Sequence, residues 1–89
     1  MYRSPVIELN AAVAIGMAES LELGLIAVEE AGRSGQLETY YLFHAARAEL
    51  LRRLGRGSEA RTAYSRALEL VTNQVERRYL SRRLREPDS

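Results

Sequence analysis

Several residue types that carry chemistry are missing or nearly missing from this chain. It has no cysteine, which removes disulfide frameworks and thiolate metal sites and fits a reducing compartment. It has no lysine, since all thirteen basic residues are arginines, so a P-loop and a Schiff base are excluded. One histidine, His44, and one aspartate, Asp88, leave no material for a histidine-rich metal cluster or a Ser-His-Asp triad. No apolar run approaches the ~20 residues that cross a bilayer, and no signal-peptide pattern opens the chain. These absences point to a soluble, cytoplasmic, non-catalytic domain with no cofactor and no metal.

What remains is 89 residues, enough for one small domain with a single core. The net charge of +1 is unevenly spread. Residues 1–38 hold Arg3 and Arg33 against six glutamates, while residues 39–89 hold eleven arginines against five glutamates and Asp88. Such polarity either marks a partner surface or lets the two halves attract each other.

Period and punctuation predict five helices and no strand, an all-α chain. Ser4-Pro5 is a start signal, with a hydroxyl cap and a proline in the first turn. Val6, Leu9, Val13 and Met17 follow at helical spacing. Ser20 caps a second helix lined by Leu21, Leu25 and Val28, which Gly32 ends in the left-handed conformation, with Arg33-Ser34-Gly35 as the turn. The third and longest helix is expected from about Leu37 to Leu54, with Gly55 as its stop and Glu49, Arg52 and Arg53 on its exposed side. Ser58 is expected to cap a fourth helix running to about Val71. Asn73 re-caps a fifth that reaches Arg85 before Glu86-Pro87.

Small residues recur at an offset of 36: Ala12 with Ala48, Gly24 with Ala60, and Ala31 with Ala67. Larger residues match too, Ile15 with Leu51 and Val28 with Tyr64. Slim side chains at this spacing let paired helices approach closely, and a mid-thirties period built as helix–turn–helix is that of tetratricopeptide repeats. The predicted architecture is two such hairpins, about residues 5–32 and 37–71, stacked in a right-handed superhelix and capped by a helix at about 74–85. The second unit carries more of the pattern, with Gly55, Ala60, Tyr64 and Ala67 in place. It departs from it at Ala48, Leu51, His44 and Thr72, and the first unit has Glu19 instead of the turn glycine.

Three runs carry a sharper resemblance. Ser4 to Ala14 looks like the "SPVV-LNRAVA" segment that opens the C-terminal extension of certain bacterial sigma-70-family factors of the extracytoplasmic-function (ECF) group. Phe43 to Arg56 is similar to that group's "HAARADLLRRLGR", and Asn73 to Leu84 resembles its closing "N-x-x-ERRFLxRRL". Ala11 replaces the expected arginine, and Gly16-Met17-Ala18-Glu19 is not the usual turn. The resemblance implies a role in transcription initiation and, as partners, the upstream sigma regions and RNA polymerase. Promoter DNA would be gripped only through regions 2 and 4, which lie upstream in the family and are absent here. Residues 1–89 would then be a C-terminal fragment or a stand-alone relic.

The candidate partner-binding residues are Tyr40, Tyr41, His44, Arg47, Arg78 and Arg82. His44 reads either as a pH-sensitive contact or as a histidine packed at the helix seam. Tyr40, Tyr41, Tyr64 and Tyr79 with Phe43 either line a peptide-holding groove or fill core margins. Of the adjacent pair Tyr40 and Tyr41, one faces outward if the other is buried. Arg77, Arg78, Arg82 and Arg85 cluster opposite Val75, Tyr79, Leu80 and Leu84 and form either a phosphate-reading face or a solvated one. Glu76 and Arg83 fall inside the apolar sector, which predicts that each pairs with the preceding hairpin. Arg47 reads as a paired arginine facing the inner side of the second hairpin. Three functions stay open: a docking module of a sigma factor, a stand-alone peptide-binding adaptor, and an auxiliary nucleic-acid contact. An incomplete repeat array also buries its open end by forming a homodimer.

Overall fold

A computed structural model of the chain describes residues 5–86. It is all-α, with α1 at Pro5–Ala18, α2 at Leu21–Ala31, α3 at Tyr41–Arg53, α4 at Gly57–Leu70 and α5 at Gln74–Arg85. The expected Ser4 cap and the Pro87 stop lie outside the described residues. Helices α1 and α2 pack as one hairpin and α3 and α4 as another, α2 rests on α3, and α5 closes the stack against α4. Each helix of the second hairpin starts 36 residues after its counterpart, Pro5 with Tyr41 and Leu21 with Gly57. The recurring small residues Ala12, Ala31, Ala48, Ala60 and Ala67 are all buried, as is Gly24.

The first hairpin closes through glycine. A Cβ built on Gly24 would lie 2.4 Å from the Gly16 Cα and 2.8 Å from its nitrogen, so the backbones of α1 and α2 touch where both residues lack a side chain. Gly16 thus belongs to the body of α1, and Leu50 of α3 also packs against it, 2.8 Å from where a Cβ would stand.

The local signals act as their chemistry dictates in three places. Ser20 accepts a hydrogen bond from the Leu23 amide at 3.3 Å, and Asn73 Oδ1 accepts from Val75 at 2.8 Å and Glu76 at 3.2 Å. Gly55 takes φ +80; the Arg56 amide donates to the Leu51 carbonyl and the Gly55 amide to Arg52, a Schellman ending.

Elsewhere the structure corrects the expectation. Gly32 is right-handed (φ −85), and Gly35 supplies the left-handed residue (φ +82). Gly32 is small because the Phe43 ring lies on it: a Cβ there would be 2.5 Å from Cζ. Helix α3 starts at Tyr41, four residues later than expected, and at 13 residues it is shorter than α1 and α4 with 14 each. The reason is that buried Leu37 anchors the preceding segment and His44 Nε2 is hydrogen bonded to the Glu38 carbonyl at 2.8 Å. Helix α4 begins with Gly57, with Arg56 rather than Ser58 at its cap and no side-chain capping bond. Arg56 instead grips Glu59 with two hydrogen bonds of 2.8 Å.

Candidate interaction surfaces

The most strongly perturbed carboxylate is one that a solvated-face reading passes over. Glu49 follows the pattern of a surface helix, with arginines three and four residues on, yet its side chain is only 18% exposed. Tyr64 reaches over from α4 and donates to Glu49 Oε2 at 2.7 Å. Arg52 Nη2 donates to Oε1 at 2.6 Å and Arg53 Nε to the same oxygen at 3.3 Å. Burial works against the ionised form, but the hydrogen bonds from Arg52, Tyr64 and Arg53 and the charge of Arg52 outweigh it and hold the pKa down to about 2. Burial and the bond to Glu49 push the Tyr64 hydroxyl well above its ordinary range. Arg52 Nε is buried without an acceptor among the described residues. A carboxylate so weakly basic, with both oxygens occupied, serves as a clamp between α3 and α4 and not as a proton acceptor.

The clamp continues electrostatically to α5, where Arg83 feels the charge of Glu49. Arg83 Nε donates to the Tyr79 hydroxyl at 3.2 Å and Nη1 to Glu86 at 2.9 Å, and these bonds push its pKa up. Its partners therefore lie on its own helix and at the cap that ends it, and not on the preceding hairpin. Partly buried Glu76 likewise makes no side-chain hydrogen bond among the described residues; its charge is felt by Tyr41, whose pKa is raised by burial first and then by Glu76. Two further arginines tie α5 down. Arg61 Nη1 donates to the Leu84 carbonyl at 2.8 Å, and Arg77 Nη1 lies 3.4 Å from the carbonyls of Leu68 and Val71.

Seven of the twelve described arginines meet a carboxylate, and Arg61 and Arg77 meet backbone carbonyls. Arg33 pairs with Glu30, Arg47 with Glu29, Arg66 with Glu69, and Arg52, Arg53, Arg56 and Arg83 with the carboxylates already named. Arg78, Arg82 and Arg85 have no hydrogen-bond or ion-pair partner among the described residues, and all three are exposed. At about 100° per residue they fall within about 60° of one another on α5. They line a shallow groove with Gln74, Arg77 and Ser81. Sequence reasoning placed Arg77, Arg78, Arg82 and Arg85 on one face; the structure keeps all four on the groove, with Arg77 alone turned to backbone carbonyls.

The other candidates do not join that stripe. Tyr40 and Tyr41 are both partly buried, rings edge-on with centroids 6.5 Å apart. Neither is fully buried, so the condition for one to face outward is not met; Tyr40 sits at the cap in extended conformation, off the helix. Tyr64 is core. His44 is 7% exposed and rests edge-on against Phe43 with centroids 4.9 Å apart. Arg47 Nε reaches Glu29 at 3.1 Å, so it is paired, across the junction to the first hairpin. His44 and Arg47 line an open depression with Glu38, Phe43, Thr62 and Arg66.

Among the described residues no helix is long and apolar enough to cross a membrane. No family model matches the chain, and no solved structure matches it. It is 44% identical over 81 residues to the uncharacterized protein R00370 of Rhizobium meliloti (strain 1021), a stretch covering 91% of this chain and 19% of that protein. The chain therefore spans about a fifth of the length of the relative it matches.

Proposed function

We propose that the chain is a non-catalytic docking module, the interaction piece of a cytoplasmic transcription-initiation factor of the ECF sigma kind, which it resembles in the three segments quoted above. The observation that carries docking is the set Arg78, Arg82 and Arg85, the described arginines left without an acceptor, together on one stripe of a helix. That helix is fixed by its Asn73 cap, by buried Leu80 and by the arginine bonds to backbone at both ends. The guanidinium groups are thus carried on a rigid rod, spaced by about 6 Å and 4.5 Å of helix rise. Presenting them costs a partner little ordering of the backbone. A row of carboxylates on a partner's surface is the fitting counterpart, since guanidinium groups bind them in bidentate fashion. In this reading the module clamps the upstream sigma regions, or RNA polymerase, and holds the factor in one arrangement, with no reaction step of its own.

Three arginines on a domain of net charge +1 are few for nucleic acid, where affinity scales with the number of phosphates neutralised. The test is a titration of the whole chain against purified sigma regions 2 and 4 and, in parallel, a DNA duplex, across salt concentrations. Salt-sensitive binding to the sigma regions, weakened tenfold or more in R78E/R82E/R85E, is the expected result. Binding that ignores the triple substitution, or that is found only with DNA, would overturn it. The peptide-adaptor reading rests on the depression beside His44 and Arg47; peptides selected on the chain and lost on Arg47→Ala would favour it.

A further inference from the structure

The junction between the two hairpins shows what covers the leading face of such a unit. In the second hairpin Phe43, Arg47 and Thr62 share one surface, and Glu59 feels the charge of Arg47 beside it. The end of α2 covers part of this surface: the Phe43 ring lies on Gly32, and Arg47 is bound to Glu29.

Thirty-six residues earlier, Ile7 stands for Phe43, Ala11 for Arg47, Leu23 for Glu59 and Ile26 for Thr62. Polarity has been exchanged. Where the second hairpin shows water an arginine, a glutamate and a threonine, the first shows an alanine, a leucine and an isoleucine. Leu23 is 54% exposed, Ile26 58% and Ile7 55%. Aliphatic side chains half in water forgo the stabilisation that burial gives, about 25 cal/mol per Å², and grouped on one face they mark a contact surface. The charged groups around them are acidic. Glu22 and Glu30 flank Leu23 and Ile26 on α2, with Glu30 held by Arg33. Glu8, on α1, occupies the place of His44, and neither Glu8 nor Glu22 has a partner among the described residues.

We propose that this face of the first hairpin is a docking site for a basic amphipathic helix, which lays its apolar stripe on Leu23 and Ile26 and sets arginine or lysine against Glu8 and Glu22. The occupant follows from charge and precedent. At the internal junction a helix end covers the equivalent surface, and an arginine–glutamate pair spans the seam. A second copy of the same face is a poor match, because it brings like carboxylates together. This inference does not depend on the α5 stripe.

The test uses the whole chain and a fluorescent synthetic helical peptide with a leucine stripe flanked by arginines, with a control in which glutamates replace the arginines. The arginine peptide is expected to bind and the glutamate peptide to bind at least tenfold more weakly. L23E/I26T, which installs what the second hairpin already carries at these positions, is expected to weaken binding tenfold or more with circular dichroism and Tm unchanged. R78E/R82E/R85E is expected to leave it intact. Should L23E/I26T fail to fold, E8R/E22R provides the second readout, reversing the preference between the two peptides. Equal binding of both peptides, or binding that survives both sets of substitutions, would overturn the proposal. So would self-association of the chain that L23E/I26T abolishes, since a second copy would then hold the face.

Discussion

The two hairpins follow one backbone plan and close it with opposite chemistry. Where α1 meets α2, Val13, Gly16 and Val28 stand at the positions that Glu49, Arg52 and Tyr64 hold between α3 and α4. The first crossing is dry and close, with backbone against backbone at Gly16 and Gly24. The second is polar, with a hydrogen-bonded carboxylate at its edge. A helical hairpin is thus free to close through bare backbone contact or through a buried polar clamp, provided that nearly every donor finds an acceptor. The outward faces differ in the same way, apolar on the first unit and charged on the second.

The largest effect expected from breaking this contrast is at Gly24. Gly24→Ala puts a methyl group 2.4 Å from backbone that has nowhere to move, and a loss of ~3 kcal/mol is expected in urea unfolding. At the equivalent position Ala60→Gly, which only removes a methyl and adds chain entropy, costs about 1 kcal/mol. Equal losses at the two sites would show that the crossings are alike.

Next in size is the clamp. Glu49→Ala leaves Arg52 and Tyr64 without their acceptor and costs about 2–3 kcal/mol. A double-mutant cycle with Tyr64→Phe should return a coupling of about 1 kcal/mol between the two.

Acid probes the same group without mutation. The Glu49 pKa is lower folded, about 2, than its ordinary value of 4.5, so its contribution is complete above pH 4.5 and lost as the pH falls from there towards 2. About 2 kcal/mol of pH dependence is expected in that window, and it should be absent in Glu49→Gln, measured by thermal unfolding across pH. An unchanged profile would mean that Glu49 is solvated.

The smallest effect separates the caps. Ser20→Ala removes the α2 capping bond and costs about 1 kcal/mol, whereas Ser58→Ala, inside the first turn of α4, should leave Tm unmoved. Arg56→Ser, which gives α4 the cap that α2 already has, should raise Tm.

The reasons for what could be read in advance are local. Ser20, Asn73 and Gly55 act through hydrogen bonds that reach three to five residues, so their roles are written beside them. The 36-residue recurrence of Ala12, Gly24 and Ala31 marks positions where helices cross, because a crossing constrains size more than anything else. Glu49 was hidden, since a glutamate followed by arginines at i+3 and i+4 describes a solvated face equally well. One signal was present: Glu49 and Tyr64 are polar at two positions where the first unit has Val13 and Val28, and a paired exchange of this kind implies contact. The late start of α3 had no local signal, because its cause is a carbonyl captured by a histidine six residues away. Arg83 shows the converse, an arginine expected to reach the neighbouring hairpin that found Tyr79 on its own helix and Glu86 at the cap of that helix.

By itself the sequence determined five helices, where two of them are capped, and the pairing of those helices through slim residues, since helix period, capping and steric fit act over short range. Only the tertiary structure decided which charges are spent and which are left over. Most arginine–glutamate pairs lie three or four residues apart. The Arg47–Glu29 pair, the Tyr64–Glu49 bond and the bonds of Arg61 and Arg77 to backbone depend instead on how separate elements pack. That allocation buried Glu49, tied down Arg61 and Arg77, and left Arg78, Arg82 and Arg85 exposed with no partner among the described residues.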